Sequence, residues 1–86
     1  MLSNREMNEL MDIYSGYLLQ INYTYVKNWT TAEDLVQESF IKFFRSSEQF
    51  REESSIKTYL TRIAINTCHD YLRSWKQLNL IKRVGS

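Results

Sequence analysis

Apolar side chains recur every three or four residues along three separate stretches of the chain. This spacing places them on one face of an α-helix, so the pattern predicts three amphipathic helices at about residues 4–27, 31–46 and 55–76. A glycine at the centre of the first helix, Gly16, is a candidate position for a bend or a split. The apolar positions of that helix are Leu10, Ile13, Tyr14, Tyr17, Leu18, Ile21 and Tyr25.

The second and third helices carry comparable apolar stripes. In the second helix the stripe consists of Val36, Phe40, Phe43 and Phe44. In the third helix it consists of Ile56, Leu60, Ile63, Ala64, Cys68, Tyr71, Leu72 and Trp75. Three such stripes need one another to be shielded from water, which predicts a shared core.

Polar residues mark the predicted helix boundaries. Thr30 and Thr31 are each followed three residues later by an acid, which resembles a capping box at the start of the second helix. Ser54 or Ser55 is a candidate N-cap for the third helix. Residues 47–54 form a polar connector between the two, and residues 77–86 lose the apolar pattern.

The composition favours helices over strands. The chain has 86 residues, 43% of them hydrophobic, with no proline and only two glycines. A sandwich or barrel needs many turn formers, and 86 residues suffice for one small domain. The sequence therefore predicts an all-α fold, a compact bundle of three main helices within residues 1–76.

No combination of residues suits catalysis or a metal site. Cys68, His69 and Asp70 are consecutive, so on a helix their side chains diverge and cannot act together. The sequence has no phosphate-binding loop and no cluster of metal ligands, and no apolar run approaches the ~20 residues that span a membrane. We expect neither an enzyme nor a bound cofactor or metal, no membrane insertion, and a cytoplasmic location.

Charge is divided unevenly along the chain. Residues 1–54 hold nine acids and five basic residues, whereas residues 55–86 hold six basic residues and one acid. On the third helix the cations share a stripe with amide and imidazole groups at three- and four-residue steps, namely Thr58, Arg62, Asn66, His69, Arg73 and Lys76. Such a stripe suits phosphates and base edges, although an ordinary solvated face has the same composition.

Two aromatic residues near this stripe, Phe50 and Tyr59, offer surfaces on which unpaired bases can stack. Either aromatic side chain could equally well pack against the core and anchor its own segment there.

The second helix has a polar face that folding alone does not explain. Asp34 and Glu38 lie four residues apart, a spacing at which like charges destabilise a helix by a few tenths of a kcal/mol. Asp34 benefits from the helix dipole, and Lys42 can offset Glu38. Asp34, Glu38 and Gln37 border one apolar residue, Ile41. A small apolar spot with a charged rim is typical of a docking surface.

These segments resemble the sigma-70 family of bacterial sigma factors. The stretch TAEDLVQESFIKFF is similar to region 2.2, in which an A-E-D-x-x-Q-E-x-F pattern is characteristic. Phe50 to Arg73 resembles regions 2.3 and 2.4 of the extracytoplasmic-function (ECF) subgroup, where F-R-x-x-S, W-L, R-I-A-x-N and D-x-L-R recur in that order. With the first helix as region 2.1, the resemblance extends to about Lys76.

The resemblance implies a transcription initiation factor that binds core RNA polymerase and helps melt the promoter −10 element. It assigns Asp34, Gln37 and Glu38 to docking on the clamp coiled coil of the polymerase β′ subunit, and we add Ile41, the apolar residue that they border. It assigns Phe50 and the loop from Arg51 to Ser55, which includes Ser54, to a flipped-out base of the nontemplate strand. It assigns the upstream edge of the −10 element and its backbone to Arg62, Asn66, Asp70 and Arg73. Lys57 and Lys76 are further candidates for phosphate contacts, and Tyr59 for base stacking. It also implies an anti-sigma factor as a partner and a place at the bacterial nucleoid.

Some features depart from the family pattern. Tyr59 and Leu60 stand where housekeeping sigma factors have two tryptophans, which suggests dependence on a well-matched promoter. The C-terminal domain that reads the −35 element is absent, so we expect a fragment in which residues 77–86 begin the interdomain linker.

Two other functions compete with this one. A helical interaction module that mimics a sigma domain would keep the second-helix face without the basic stripe of the third helix. A helix-turn-helix protein that binds duplex DNA would need a shorter turn between two shorter helices.

Overall fold

Three α-helices make up the fold: α1 (Asn4–Val26), α2 (Trp29–Arg45) and α3 (Ile56–Gly85). The computed structural model describes residues 3–46 and 55–85, with the backbone alone for residues 77–85. Each helix packs against both of the others. The predicted all-α bundle of three helices is confirmed.

α1 begins at the N-cap Ser3. Its hydroxyl accepts a hydrogen bond from the backbone N–H of Glu6 at 3.2 Å, and the Glu6 carboxylate accepts one from the backbone N–H of Ser3 at 3.4 Å. This reciprocal capping box satisfies two backbone donors that the first turn would leave open. The helix continues through Gly16, so the chain is not split there.

A two-residue turn separates α1 from α2, and the predicted start of α2 at Thr30 or Thr31 is wrong. Lys27 ends α1 in the left-handed conformation, with φ of 57°, which reverses the chain at once. Asn28 is therefore the N-cap, and its side-chain oxygen accepts from the backbone N–H of Thr31 at 2.9 Å. Asparagine is among the most favourable N-cap residues, so the helix begins directly after Asn28 and before either threonine could serve as the cap.

α3 begins where predicted and ends later. The Ser55 hydroxyl accepts from the backbone N–H of Thr58 at 3.1 Å, as expected of an N-cap. The helix then passes the predicted end near residue 76 and reaches Gly85. Residues 77–84 include leucine, lysine, arginine and glutamine, which favour helix without an apolar stripe. Loss of the apolar stripe therefore does not mark the end of α3.

The core lies where the three predicted stripes meet. Its buried apolar side chains are Leu18, Ala32, Leu35, Val36, Phe40, Phe43, Leu60, Ala64 and Cys68. Two predicted core residues are instead exposed, Ile13 by 65% and Trp75 by 56%. Ile13 lies at the edge of the apolar stripe of α1, whereas Leu10, Met11 and Tyr14 on either side of it in the sequence pack against the core. Tyr25 is also exposed. Within the described residues, none of the helices has the length and hydropathy of a membrane span.

One polar side chain, Asn22, connects all three helices inside this core. It lies on α1 and is completely buried. Its amide nitrogen donates to the backbone carbonyl of Ala32 on α2 at 3.2 Å, and its amide oxygen accepts from the thiol of Cys68 on α3 at 3.2 Å. A buried amide is tolerated only when it is hydrogen-bonded, so these two contacts fix the register of the helices.

Replacing this amide should weaken the fold. Asn22→Ala is expected to lower the free energy of unfolding by about 2–3 kcal/mol, because it removes two buried hydrogen bonds and leaves a cavity. Urea denaturation followed by circular dichroism measures this. Asn8→Ala, at an exposed position of the same helix, is the matched control and should change stability by less than about 0.5 kcal/mol. Equal stabilities for the two variants would contradict the role of Asn22.

Candidate protein-binding and nucleic-acid-binding surfaces

The outer side of α2 carries the four residues that the sequence assigns to protein docking. Asp34, Gln37, Glu38 and Ile41 are all exposed, and together we name them the acidic face. They share this side because Val36, Phe40 and Phe43 turn the opposite side of α2 into the core. Ile41 is 51% exposed, so the acidic face contains an apolar centre.

A lysine connects the acidic face to α3. The ammonium nitrogen Nζ of Lys42 lies 3.7 Å from Oε1 of Glu38 and donates to the hydroxyl of Thr67 at 3.2 Å. The predicted offset of Glu38 by Lys42 is therefore present. Among the described residues, Asp34 makes no ion pair. Within this part of the chain, Glu38 is thus the carboxylate of the acidic face that has a basic neighbour.

A groove between α1 and α2 borders the acidic face, and sequence reasoning missed it. It has a volume of about 300 Å³ and is lined by Ser15, Gly16, Leu19, Glu33, Val36 and Gln37. Gly16 matters here because a Cβ at that position would meet nothing within 4 Å. The groove is therefore open on the side of Gly16. The feature of the sequence that could have indicated the groove is this glycine in the middle of α1, which the sequence analysis treats as a candidate bend or split.

The outer side of α3 carries the residues that the sequence assigns to DNA. Lys57, Arg62, Asn66, Asp70, Arg73 and Lys76 are all exposed, and we name them the basic stripe. The first and last of them are separated by about 28 Å along the helix axis. Arg73 lies 3.6 Å from Asp70 in an exposed pair that water and salt weaken.

A second groove lies where the basic stripe meets α1. Its volume is about 420 Å³, and its lining residues are Tyr17, Lys57, Thr58, Thr61, Arg62, Ile65 and Asn66. The ammonium of Lys57 lies 4.7 Å from the centre of the Tyr17 ring, and the Tyr17 hydroxyl lies 3.1 Å from Oγ1 of Thr61. The sequence assigned Tyr17 to the core only. A tyrosine hydroxyl needs a polar neighbour, and this could have indicated that Tyr17 lies at the edge of the core.

Tyr59, which the sequence also assigns to DNA, occupies a different environment from the basic stripe. It is half-buried, its ring packs edge-on against Phe43 at 5.6 Å, and its hydroxyl donates to Ser46 at 2.8 Å. Tyr59 thus joins the start of α3 to the end of α2. Its proposed contact with DNA stays a prediction, as does that of Ser55, which caps α3. Phe50, Arg51 and Ser54 lie outside the described residues.

The consecutive residues Cys68, His69 and Asp70 diverge as predicted. Cys68 is completely buried, whereas His69 and Asp70 are exposed. The His69 ring packs edge-on against Tyr25 at 5.4 Å, away from the thiol. Desolvation by burial raises the pKa of the Cys68 thiol above its ordinary value of 9.0. Cys68 is therefore a core residue with little nucleophilic thiolate near neutral pH.

Alkylation of Cys68 tests this environment. Iodoacetamide at pH 8 should modify the folded protein at least about tenfold more slowly than the urea-unfolded protein, because burial shields the thiol and its raised pKa lowers the fraction present as thiolate. In the folded protein the rate should keep rising as the pH passes 9.0. Mass spectrometry of the alkylated chain measures both rates. Equal rates in the folded and unfolded protein would contradict a buried thiol, and Asn22→Ala should react faster than the natural chain.

Comparison with known proteins bears on both surfaces. The family model described as Sigma-70 region 2 matches residues 10–77, which contain the acidic face and the basic stripe. The chain is 43% identical over 68 residues to the ECF RNA polymerase sigma-E factor of Haemophilus influenzae, a match that covers 79% of this chain and 35% of that protein.

Shorter matches give higher identity. Over 39 residues the chain is 54% identical to the ECF RNA polymerase sigma-E factor of Salmonella typhimurium and 51% identical to that of Escherichia coli. Each of these matches covers 45% of this chain and 20% of the relative. No solved structure gives a significant match. The chain spans about a third of the length of the Haemophilus influenzae relative. Because the family model covers most of its residues, this chain belongs to the Sigma-70 region 2 family.

Proposed function

We propose that this chain is the RNA polymerase-binding and promoter-recognition domain of an ECF sigma factor, active in transcription initiation. The observation that carries the proposal is the placement of two chemically opposite surfaces on one three-helix core. The acidic face lies on α2 and the basic stripe lies on α3, so both can be occupied at once. Membership of the Sigma-70 region 2 family supports the same assignment.

The acidic face is the proposed contact with the β′ clamp of core RNA polymerase. Its carboxylates, Asp34 and Glu38, favour a partner with basic side chains. Exposed Ile41 supplies an apolar centre that a partner can exclude from water, while the charges around it form the rim. A protein surface is a better partner for this arrangement than DNA, whose phosphates the carboxylates would repel.

The basic stripe is the proposed contact with the nontemplate strand of the −10 element. Lys57, Arg62, Arg73 and Lys76 suit phosphates, and Asn66 presents an amide that can pair with a base edge. Flipping a base out of the duplex costs a few kcal/mol, which contacts to the extruded base offset. The groove beside Tyr17 and Arg62 lies within the stripe and offers space for such contacts.

Both surfaces contribute to the affinity of the proposed complex with promoter DNA. Four cations give the free domain only weak, salt-sensitive binding to DNA, so we expect core polymerase to supply the remaining affinity. We therefore expect the chain to act with the transcription machinery at the nucleoid, in the bacterial cytoplasm. The family resemblance adds an anti-sigma factor as a further partner. A module that only mimics a sigma domain would bind polymerase and would not need the basic stripe.

Charge reversal on the acidic face tests polymerase binding. Asp34→Arg, and likewise Glu38→Arg, is expected to abolish association with core RNA polymerase without changing the helix content, because each places a cation against a basic partner. Pull-down with core polymerase and circular dichroism measure the two properties. Glu9→Arg makes the same change in charge at an exposed position of α1 and should bind normally. Undiminished binding by Asp34→Arg would refute the docking assignment.

The basic stripe predicts a preference for unpaired DNA. In fluorescence anisotropy titrations the domain should bind single-stranded nontemplate −10 DNA more tightly than the matching duplex. The logarithm of the binding constant should fall with the logarithm of the salt concentration with a slope of about −3 if all four cations contact phosphates. Arg62→Ala should weaken binding, whereas Arg5→Ala, which removes an equal charge from α1, should not. Equal, salt-sensitive binding to any duplex would instead indicate a generic basic surface.

A further inference from the structure

An exposed tryptophan stands at the start of α2, and neither of the proposed surfaces includes it. Trp29 is 51% exposed, although exposing a large aromatic ring to water is unfavourable. Its ring is stacked on that of Tyr23 from α1, with 3.9 Å between the ring centres and 9° between the planes. Tyr23 thus covers one face of the indole, and the orientation of Trp29 is fixed before any partner arrives.

Trp29 begins a continuous row of exposed side chains that leads into the acidic face. Successive residues four apart on a helix form a ridge, and here the ridge is Trp29, Glu33, Gln37 and Ile41. Two of these residues, Gln37 and Ile41, belong to the acidic face, and the ridge is about 18 Å long. We name these four residues the Trp29 ridge.

The groove between α1 and α2 runs beside this ridge. Glu33 and Gln37 line it from α2, and Gly16 leaves it open from α1. A side chain from a partner can therefore lie alongside the ridge without first displacing a side chain at position 16. Aromatic anchor, carboxylate, amide and open groove are arranged in one continuous surface.

We propose that Trp29 is an anchor of the polymerase-binding surface, and that it receives an arginine-bearing basic segment of core RNA polymerase. This inference rests on the proposed function, and it extends the docking surface from the acidic face to the α1–α2 junction. Arginine is the side chain that fits because its planar guanidinium can stack on the indole and also form paired hydrogen bonds with a carboxylate such as Glu33.

The energetic argument rests on rigidity. Tryptophan is enriched among the few interface residues that dominate binding, especially where it is already ordered and a partner can exclude water from it. The stack on Tyr23 reduces the conformational entropy that Trp29 would lose on binding. The other exposed tryptophan, Trp75, belongs to α3 and not to this ridge, so it provides a matched control.

Binding of purified variants to core RNA polymerase tests the proposal. Trp29→Ala should raise the dissociation constant at least about tenfold, the change typical of a strong interface residue. Trp29→Phe should retain most of the affinity because it preserves an aromatic face. Trp75→Ala should bind as the natural chain does, and the affinity of Trp29→Ala for single-stranded −10 DNA should not change.

Asp34→Arg, measured in parallel, separates this inference from the proposed function. Loss of binding by Asp34→Arg together with normal binding by Trp29→Ala would overturn the role of Trp29 and leave the docking assignment intact. Normal binding by both variants would overturn both. A change in self-association without a change in polymerase binding would assign the surface to a second copy of the chain and would also overturn the inference.

Hydroxyl-radical footprinting of the natural chain removes any dependence on how the variants fold. With core polymerase bound, oxidation of Trp29 should fall several-fold relative to Trp75, as mass spectrometry measures for each residue. An oxidation rate of Trp29 that is the same in the complex as in the free domain would overturn the inference.

Discussion

The arrangement of this domain depends on the pair of hydrogen bonds that Asn22 makes in the core. One bond holds α2 through a backbone carbonyl and the other holds α3 through a buried thiol. Apolar packing alone tolerates rotation or sliding of helices, whereas a buried amide left without partners costs about 1–3 kcal/mol. Asn22 therefore selects one register, and that register determines which residues of α2 and α3 face outward.

Both proposed binding surfaces follow from that register. Once Phe40 and Phe43 point into the core, Asp34 and Ile41 must point away from it on α2. In the same way, burial of Leu60 and Ala64 turns Arg62 and Asn66 outward on α3. The surfaces lie on different helices, so a polyanion and a basic protein can be bound without competing for the same residues.

Periodicity predicted the three helices and most of the core because burial of an apolar stripe dominates the folding of so small a domain. It misplaced the start of α2 because Asn28 and two threonines are all acceptable caps, and only the turn at Lys27 decides between them. It did not predict the hydrogen bonds of Asn22, because the sequence does not show which distant groups an amide on an apolar stripe will meet. The α1–α2 groove and the Tyr23–Trp29 stack depend on how α1 and α2 cross, which local patterns do not specify.

The bonds of Lys42 have a consequence for selectivity. Since this lysine is held by Thr67 on α3, it remains beside Glu38 when a partner approaches. In the proposed docking, a cationic partner would compete with Lys42 for Glu38, whereas no ion pair among the described residues holds Asp34. A partner with few positive charges would gain little from that exchange, and one with many would gain more. Lys42 would thus favour a densely basic partner over the many proteins that carry a few positive charges.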